Sequence, residues 1–299
     1  MSSPKPILVT GGRGRLASLI ADHLRAPAYA VSLYSRSAGP GFRDLLDLER
    51  SESFAAAGTV LHLAWSTLPA TSEVSPRTEW THDLPFLERM LAAMSASPRA
   101  AQIHFIFFSS GGTVYGNAPG RPNVETDACL PVGCYGRGKL AAEEVIKAHA
   151  ARHGLACTVL RISNPYGYPV PKSRAQGIIP HALRCAMEGQ PLTLWGDGHA
   201  RKDFLYYTDF LSALDEVIRR RLTGTLNLCA GESHSVREVI GLVEKNTGRL
   251  VSIDCLPGPA WDVRDSRLDH GQLATATGWQ PQVSLDEGIR RAAAGYAAR

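Results

Sequence analysis

The stretch VGCYGRGKLAAEEV sets Tyr135 four residues before Lys139, a spacing that puts both side chains on one face of a helix. A phenol with a pKa of about 10 is a poor base at neutral pH, but a neighbouring ammonium favours its phenolate, and a positively charged nicotinamide adds to that pull. Such a pair is a proton shuttle for alcohol oxidation: Tyr135 takes the hydroxyl proton as hydride leaves the carbon for a nicotinamide ring. A tyrosine and a lysine at this spacing are commonplace by themselves. What gives them weight is that two glycine-rich segments precede them in order.

The first of these, ILVTGGRGRLASLIADHL, places Gly11, Gly12, Arg13, Gly14, Arg15 and Leu16 between an apolar strand and an amphipathic helix. Glycines there permit a tight turn and a close approach of backbone to a pyrophosphate, whose charge is met by the helix N-terminus. The second strand ends SLYSRS, so Ser35 stands where a carboxylate would accept hydrogen bonds from a ribose with both hydroxyls free. Arg36 beside it can pair bidentately with a 2′-phosphate. The reading leans to NADP and leaves NAD open. Asp44, followed by Leu45, is a candidate for the adenine contact. Leu63, Ala64, Ser109 and Ile162, with Tyr135 and Lys139, complete the expected cofactor set.

The second segment, IHFIFFSSGGTVYG, runs apolar to Ser109 and Ser110, then loses its side chains at Gly111 and Gly112 before Thr113. Bare backbone at the carboxyl end of a buried strand allows close approach of a ligand, because in open α/β sheets ligands sit just outside those ends.

The elements that must hold these residues are legible as short apolar runs alternating with amphipathic stretches, the pattern of parallel strands joined by crossover helices. Strands are expected at 5–10, 30–35, 59–64, 102–110 and 156–163, buried on both faces because they are nearly continuously apolar. Helices are expected at 14–25, 82–96 and 135–153, the last with Leu140, Val145 and Ile146 near helical spacing. After residue 164 the loop NPYGYPVPKSRAQG opens a second region, followed by a helix at 178–188. Ser235 with Glu238 and Ser284 with Glu287 each spell a capping box, and Gly248 is placed to end the first of those helices.

Composition excludes several classes. The chain has 299 residues, 44% hydrophobic and 20% charged, enough for one large α/β domain or two modest ones. Its 32 Lys and Arg exceed 28 Asp and Glu by only four. They are scattered apart from Arg219, Arg220 and Arg221 at a helix end, so no nucleic-acid partner is expected. Cysteines 129, 134, 157, 185, 229 and 255 lack the short paired spacing of a zinc site or redox dithiol; no metal is expected, and they read as reduced and packed. A strand begins almost at once in MSSPKPILVTGG, which leaves no room for a signal peptide, and no apolar run reaches about 18 residues, so no membrane span is expected. The expectation is a soluble cytoplasmic protein.

In order, TGGRGRLA, SSGGTVYG, YGRGK, RISNPYG, WGDGHARKDFLYYTD and GWQPQVSLDEGI resemble the extended short-chain dehydrogenase/reductase family from about residue 6 to 291, and within it the nucleotide-sugar epimerases of the UDP-glucose 4-epimerase type. The resemblance implies an α/β fold: a Rossmann-type doubly wound parallel sheet over 1–165 with 200–230, and a smaller C-terminal α/β substrate-binding domain over 166–199 with 231–299. Tyr135 and Lys139 match the family's catalytic pair. Asn164 matches a substrate-contacting asparagine, with a turn-forming role as the structural alternative, and Ile178, Ile179 and Pro180 lie near the nucleotide.

The family's usual catalytic Ser or Thr falls on Gly111, which instead leaves room for substrate; Ser110, Thr113 or water is left to supply the hydroxyl. Related dehydratases carry an Asp-Glu pair where this chain has Gly112 and Thr113. Thr113 matches the 4-epimerase version, which implies oxidation at C4, rotation of the keto sugar and return of hydride to its other face. GDGHARKDF places Lys202 where a family arginine meets the diphosphate, with Arg201 beside it. Pro259 replaces a second arginine, leaving Arg264 or Arg267 as substitutes. Ser266 is a small residue that leaves room for an N-acetyl group. Trp65 and Trp80, in AWSTLPATSEVSPRTEW, stand near the sugar or pack a hinge. The resemblance also suggests a homodimer through paired helices. An NADP-dependent nucleotide-sugar reductase, or a non-catalytic nucleotide-binding or redox-sensing member, are the alternatives.

Overall fold

KPILVT, with no charge after Lys5, forms the first strand, β1 (Lys5–Thr10), and Gly14 then opens helix α1 (Arg15–Leu24), which buries Ala17, Ile20, Ala21 and Leu24 at helical spacing. The computed structural model describes residues 4–25, 28–118, 120–169 and 177–297. The remaining strands among these are β2 (Tyr29–Ser35), β3 (Arg43–Asp44), β4 (Thr59–His62), β5 (His104–Ser110), β6 (Ala156–Ile162), β7 (Asn164–Tyr166), β8 (Leu192–Trp195), β9 (Arg201–Tyr206), β10 (Gly224–Leu228), β11 (Ser233–Ser235) and β12 (Ile253–Leu256). The remaining helices are α2 (Pro69–Val74), α3 (Leu84–Ser95), the single turn α4 (Gly111–Val114), α5 (Cys134–His153), α6 (Ile178–Glu188), α7 (Tyr207–Arg220), α8 (Val236–Thr247), α9 (Gly271–Thr277) and α10 (Leu285–Ala297).

Seven strands form one sheet in the order β10-β6-β5-β4-β1-β2-β3. β1 pairs in parallel with both β2 and β4, so that Thr10 lies opposite Tyr34 on one side and His62 on the other. The strand order reverses at β1, which makes the sheet doubly wound and puts its switch point at the glycine turn. β4 ends at His62, not at residue 64 as its apolar run suggests, because the Leu63 and Ala64 N–H groups both donate to the Thr10 hydroxyl at 3.0 Å.

The chain divides into two units: residues 1–110, 133–161 and 215–226, and residues 111–132, 162–214 and 227–299. The first unit's core joins Tyr34, Leu48, Phe105 and Phe107 to Leu87 and Met90 of α3 and Ala142 and Ile146 of α5. Each such large side chain contributes about 1.5–3 kcal/mol by leaving water. The second unit packs α6, α8 and α10 around Tyr166, Phe204 and Tyr206, whose rings meet edge to face at 6.4 and 5.4 Å.

This division differs from the allotment expected from the sequence, because 111–132, 162–165, 200–214 and 227–230 all belong to the second unit. Tyr115 donates to Asn227 Oδ1 at 2.7 Å, Asn227 N–H donates to Glu125 at 2.8 Å, and the Asn227 amide reaches the Asn123 and Asp269 carbonyls. These bonds join segments far apart in the chain, which no local pattern reveals. The 235/238 capping box forms in full, and Gly248 closes α8 in the left-handed region with φ 65°. At 284/287 only half the box forms: Glu287 N–H donates to Ser284 Oγ, while its carboxylate is taken by Arg290 and Arg291.

Candidate active site

In the first unit, the glycine turn fits a pyrophosphate. Gly11 has φ +71°, and a Cβ there would come within 2.9 Å of the Ala64 nitrogen; one on Gly14 would come within 2.9 Å of the Gly11 carbonyl. Side chains are therefore excluded from positions 11 and 14 on steric grounds. α1 begins with no side-chain cap and no acidic residue in its first turn, so Arg15 and Leu16 start a helix whose N-terminal N–H groups suit an anion.

At the end of β2 the buried Ser35 accepts from Arg13 Nε at 3.3 Å and donates to the Ser37 carbonyl at 2.6 Å. The Arg13 guanidinium lies 4.4 Å over the Phe42 ring. Arg13 is thus held at this strand end, while Arg36, the residue expected to pair with a 2′-phosphate, is exposed beside it. Asp44, the expected adenine contact, caps the following turn by accepting from Leu46 N–H at 2.9 Å, and Leu45 is buried beside it. Thr10 and His62 were missed from sequence. The Thr10 hydroxyl bonds His62 Nδ1 at 2.9 Å as well as both N–H groups of Leu63 and Ala64, so it shapes the edge of the cradle. Burial, then the Lys139 charge, pushes the His62 imidazole down to about 3, so it is neutral.

Helix α5 carries Tyr135 in its first turn and Lys139 one turn later. Lys139, 4% exposed, donates to the Phe108 carbonyl on β5 at 2.9 Å. Its Nζ sits 4.0 Å from the Trp65 ring centroid, 4.7 Å from that of Phe107 and 5.8 Å from that of Tyr135. The spacing therefore does bring the pair together. Burial pushes the lysine down to about 7, against the opposing pull of Asp83, Glu143 and Glu79. Burial, then Glu79 and Asp83, holds the Tyr135 phenol well above its ordinary value. In the chain by itself, burial and these two carboxylates favour the protonated phenol at Tyr135.

The hydroxyls expected near β5 have separate fates. Ser109 Oγ donates to Glu143 at 2.5 Å, and Glu143 is paired with Arg161 at 2.7 Å, so Ser109 is committed to a buried ion pair. Ser110 ends β5 half-buried. Gly111 opens α4 buried, and the Thr113 hydroxyl is buried with no hydrogen-bond partner among the described residues. Of the residues weighed to replace the hydroxyl that Gly111 lacks, Thr113 carries a buried hydroxyl and Ser110 a half-buried one. Ile162 is the last residue of β6.

In the second unit, a cavity of about 210 Å³ is lined by Asn164, Tyr166, Ile178, Ile179, Lys202 and Phe204, among others. Ile179 is buried at the start of α6, and the Asn164 amide donates to the Asp203 carbonyl at 2.8 Å. Lys202 Nζ is held by Asp262 at 2.7 Å and by the Val263 carbonyl. Arg201 is engaged with Ser233 and Glu238. Arg267 is held bidentately by Asp265, and Arg264 is exposed. Ser266 is buried, and its hydroxyl has no partner among the described residues.

The six cysteines are free, with only Cys255 exposed; no metal-ligand cluster and no helix long and apolar enough to cross a membrane occurs among the described residues.

A glycine cradle at the switch point of a doubly wound sheet, with a Tyr-Lys pair on α5, defines a Rossmann-type dinucleotide-binding scaffold. Residues 7–229 match the sequence model of the NAD dependent epimerase/dehydratase family, and the chain belongs to that family. A UDP-glucose 4-epimerase of Mycolicibacterium smegmatis is 26% identical over 303 residues, covering 95% of this chain and 96% of the relative. Among solved structures, UDP-glucose 4-epimerase of Thermotoga maritima with UDP-glucose superposes with a TM-score of 0.87 at 27% identity, covering 98% of this chain and 99% of the other. That of Thermus thermophilus in complex with NAD gives a TM-score of 0.87 at 26% identity over the same shares.

Proposed function

We propose that the protein is a nicotinamide-dinucleotide-dependent nucleotide-sugar epimerase that inverts C4 of a UDP-sugar through a 4-keto intermediate. The observation that carries this reading is the Tyr135/Lys139 pair, with Lys139 anchored to the carbonyl of Phe108 in the same unit as the glycine cradle. Tyr135 accepts the proton of the C4 hydroxyl and returns it after the sugar has turned, and Lys139 supplies the charge beside it. Bound NAD supplies a reversible two-electron acceptor for C4. Gly11, Gly12 and Gly14 hold the pyrophosphate, and Ser35 and Arg13 border the adenosine end. The cavity at Ile179, Lys202 and Phe204 takes the nucleotide, with Arg264 toward the diphosphate and Asn164 toward the sugar. Thr113, with its hydroxyl uncommitted, stands in for the missing residue at Gly111, and the small Ser266 admits an N-acetyl group.

The Thermus relative's NAD supports NAD as the resident cofactor. The absence of a carboxylate at Ser35, with Arg13 beside it, admits NADP as well, so both are to be titrated. The family resemblance supports a homodimer, which light scattering checks, and we propose that the protein acts in the cytoplasm.

The test is to incubate the purified protein with UDP-, GDP- and dTDP-sugars, first without and then with NADPH, and to follow products by NMR. Axial-equatorial exchange at C4 without reductant supports the proposal. Net reduction supports the reductase alternative, and no turnover supports a non-catalytic member of the family.

A further inference from the structure

Residues 65–83 lay several side chains on α5. At its N-terminus, Cys134 N–H donates to Glu73 Oε1 at 2.5 Å, so a distant carboxylate caps a helix that has no side-chain cap of its own. One turn on, the fully buried Glu79 lies across Gly138, where a Cβ would come within 2.9 Å of Glu79 Cγ and 3.5 Å of the Trp65 ring. Glu79 Oε1 accepts from Thr67 and, at 2.6 Å, from Ser72, while its Oε2 is buried without a partner among the described residues. Asp83, 9% exposed, accepts from the Ser66 N–H and hydroxyl through Oδ1, and its Oδ2 is likewise buried without a partner among them.

Two buried carboxylates, each with one oxygen fixed and one open, need a cation or a proton nearby. Glu143 also favours the charged form of Lys139, but its hydrogen bonds are spent on Arg161 and Ser109. Lys139 lies on the Trp65 ring, which together with Glu79 borders the neighbouring Gly138, and the charges of Asp83 and Glu79 both favour its ammonium form.

We propose that Glu79 and Asp83 are positioning residues that hold Lys139 as an ammonium and keep the proton on Tyr135, so that the phenol yields it only when a cationic ring bound at the cradle offsets their charge. This rests on the proton-shuttle reading of Tyr135. The other groups around the pair are His62 on β4, which is neutral, the closed Glu143–Arg161 pair, and Glu73, Cys134 and Arg137 at the helix start. Both carboxylates push Tyr135 up and both push Lys139 up, so neutralising either moves both midpoints down.

The test uses the full chain carrying ¹³C-labelled lysine and tyrosine, with signals assigned by Lys139→Met and Tyr135→Phe. E79Q keeps an oxygen for Thr67 and Ser72, and D83N keeps one for Ser66, so neither variant removes the hydrogen bonds that hold the segment. In the cofactor-free parent the Lys139 midpoint lies at about 7. Each variant lowers it by about one unit, and in the NAD-loaded enzyme the acid limb of the kcat profile moves to lower pH with KM little changed. Unchanged midpoints and an unchanged profile, with only thermal stability reduced, overturn the proposal and leave the carboxylates a structural role. If E79Q does not fold, D83N gives the same reading alone. The lysine titration needs no turnover, so its failure is distinguishable from failure of the epimerase reading.

Discussion

Removing Arg161 leaves Glu143 charged and unpaired in the first unit's interior. The pair's side chains are 3% and 0% exposed, and the guanidinium reaches the carboxylate through Nη2 at 2.7 Å and Nε at 3.1 and 3.2 Å. Solvent therefore screens little of the interaction, and breaking such a pair from one side costs about 3–5 kcal/mol. At about 2–4 °C per kcal/mol, Arg161→Leu lowers the unfolding midpoint by roughly 10 °C. Glu143→Leu strands the guanidinium instead and costs a similar amount, with the Ser109 hydroxyl losing its acceptor as well. The double variant removes both charges and is expected to regain most of the loss, so that the cycle gives a coupling of about 2 kcal/mol or more. Urea unfolding of the four proteins, followed by circular dichroism, measures the cycle. Single variants costing under about 1 kcal/mol, or losses that simply add, would refute the claim that this pair is a desolvated unit.

Gly11→Ala forces a Cβ against the Ala64 nitrogen at a φ that alanine disfavours, so the dissociation constant for NADH, read by fluorescence, should rise about tenfold or more. Ser235→Ala removes the hydroxyl that accepts from Glu238 N–H and should cost about 1 kcal/mol in thermal unfolding of the second unit. Asp203, fully buried with Ala230 and Gly231 N–H groups donating to it, is raised by burial from 3.8 to about 6. Its native form thus binds a proton that the unfolded form has released, so its contribution to stability is full below about pH 4 and is lost as pH rises through about 6. The difference in midpoint between the parent and Asp203→Asn should change over that window and be flat above it; a flat difference throughout contradicts the assignment.

How far the sequence reached depended on how local each signal was. The glycine turn, α5 and α6 were legible because strand, cap and helix period lie within about twenty residues of one another. The 178–188 helix matches to the residue. Arg13 over Phe42 was not legible, since its partner comes from beyond β2, and the exposed Arg36 was the nearer choice on the chain. Glu79 was hidden in a loop whose tryptophans drew notice instead, and Asp83 in the first turn of the expected 82–96 helix; Trp65 proves to floor Lys139, while Trp80 is 52% exposed. Gly138 was the missed clue: a glycine inside a helix, between Tyr135 and Lys139, costs about 1 kcal/mol unless something must approach there. Lys202 lines the cavity, and its tie to Asp262 depends on a distant fold-back of the chain.

The central claim is that Tyr135 moves the C4 proton. The direct measurement is the rate of C4 exchange on the UDP-sugar turned over in the NMR panel, for the parent and for Tyr135→Phe at equal cofactor occupancy. A fall of about 10²- to 10⁴-fold, with the dinucleotide still bound, is the expected result. A Tyr135→Phe variant as fast as the parent would contradict it.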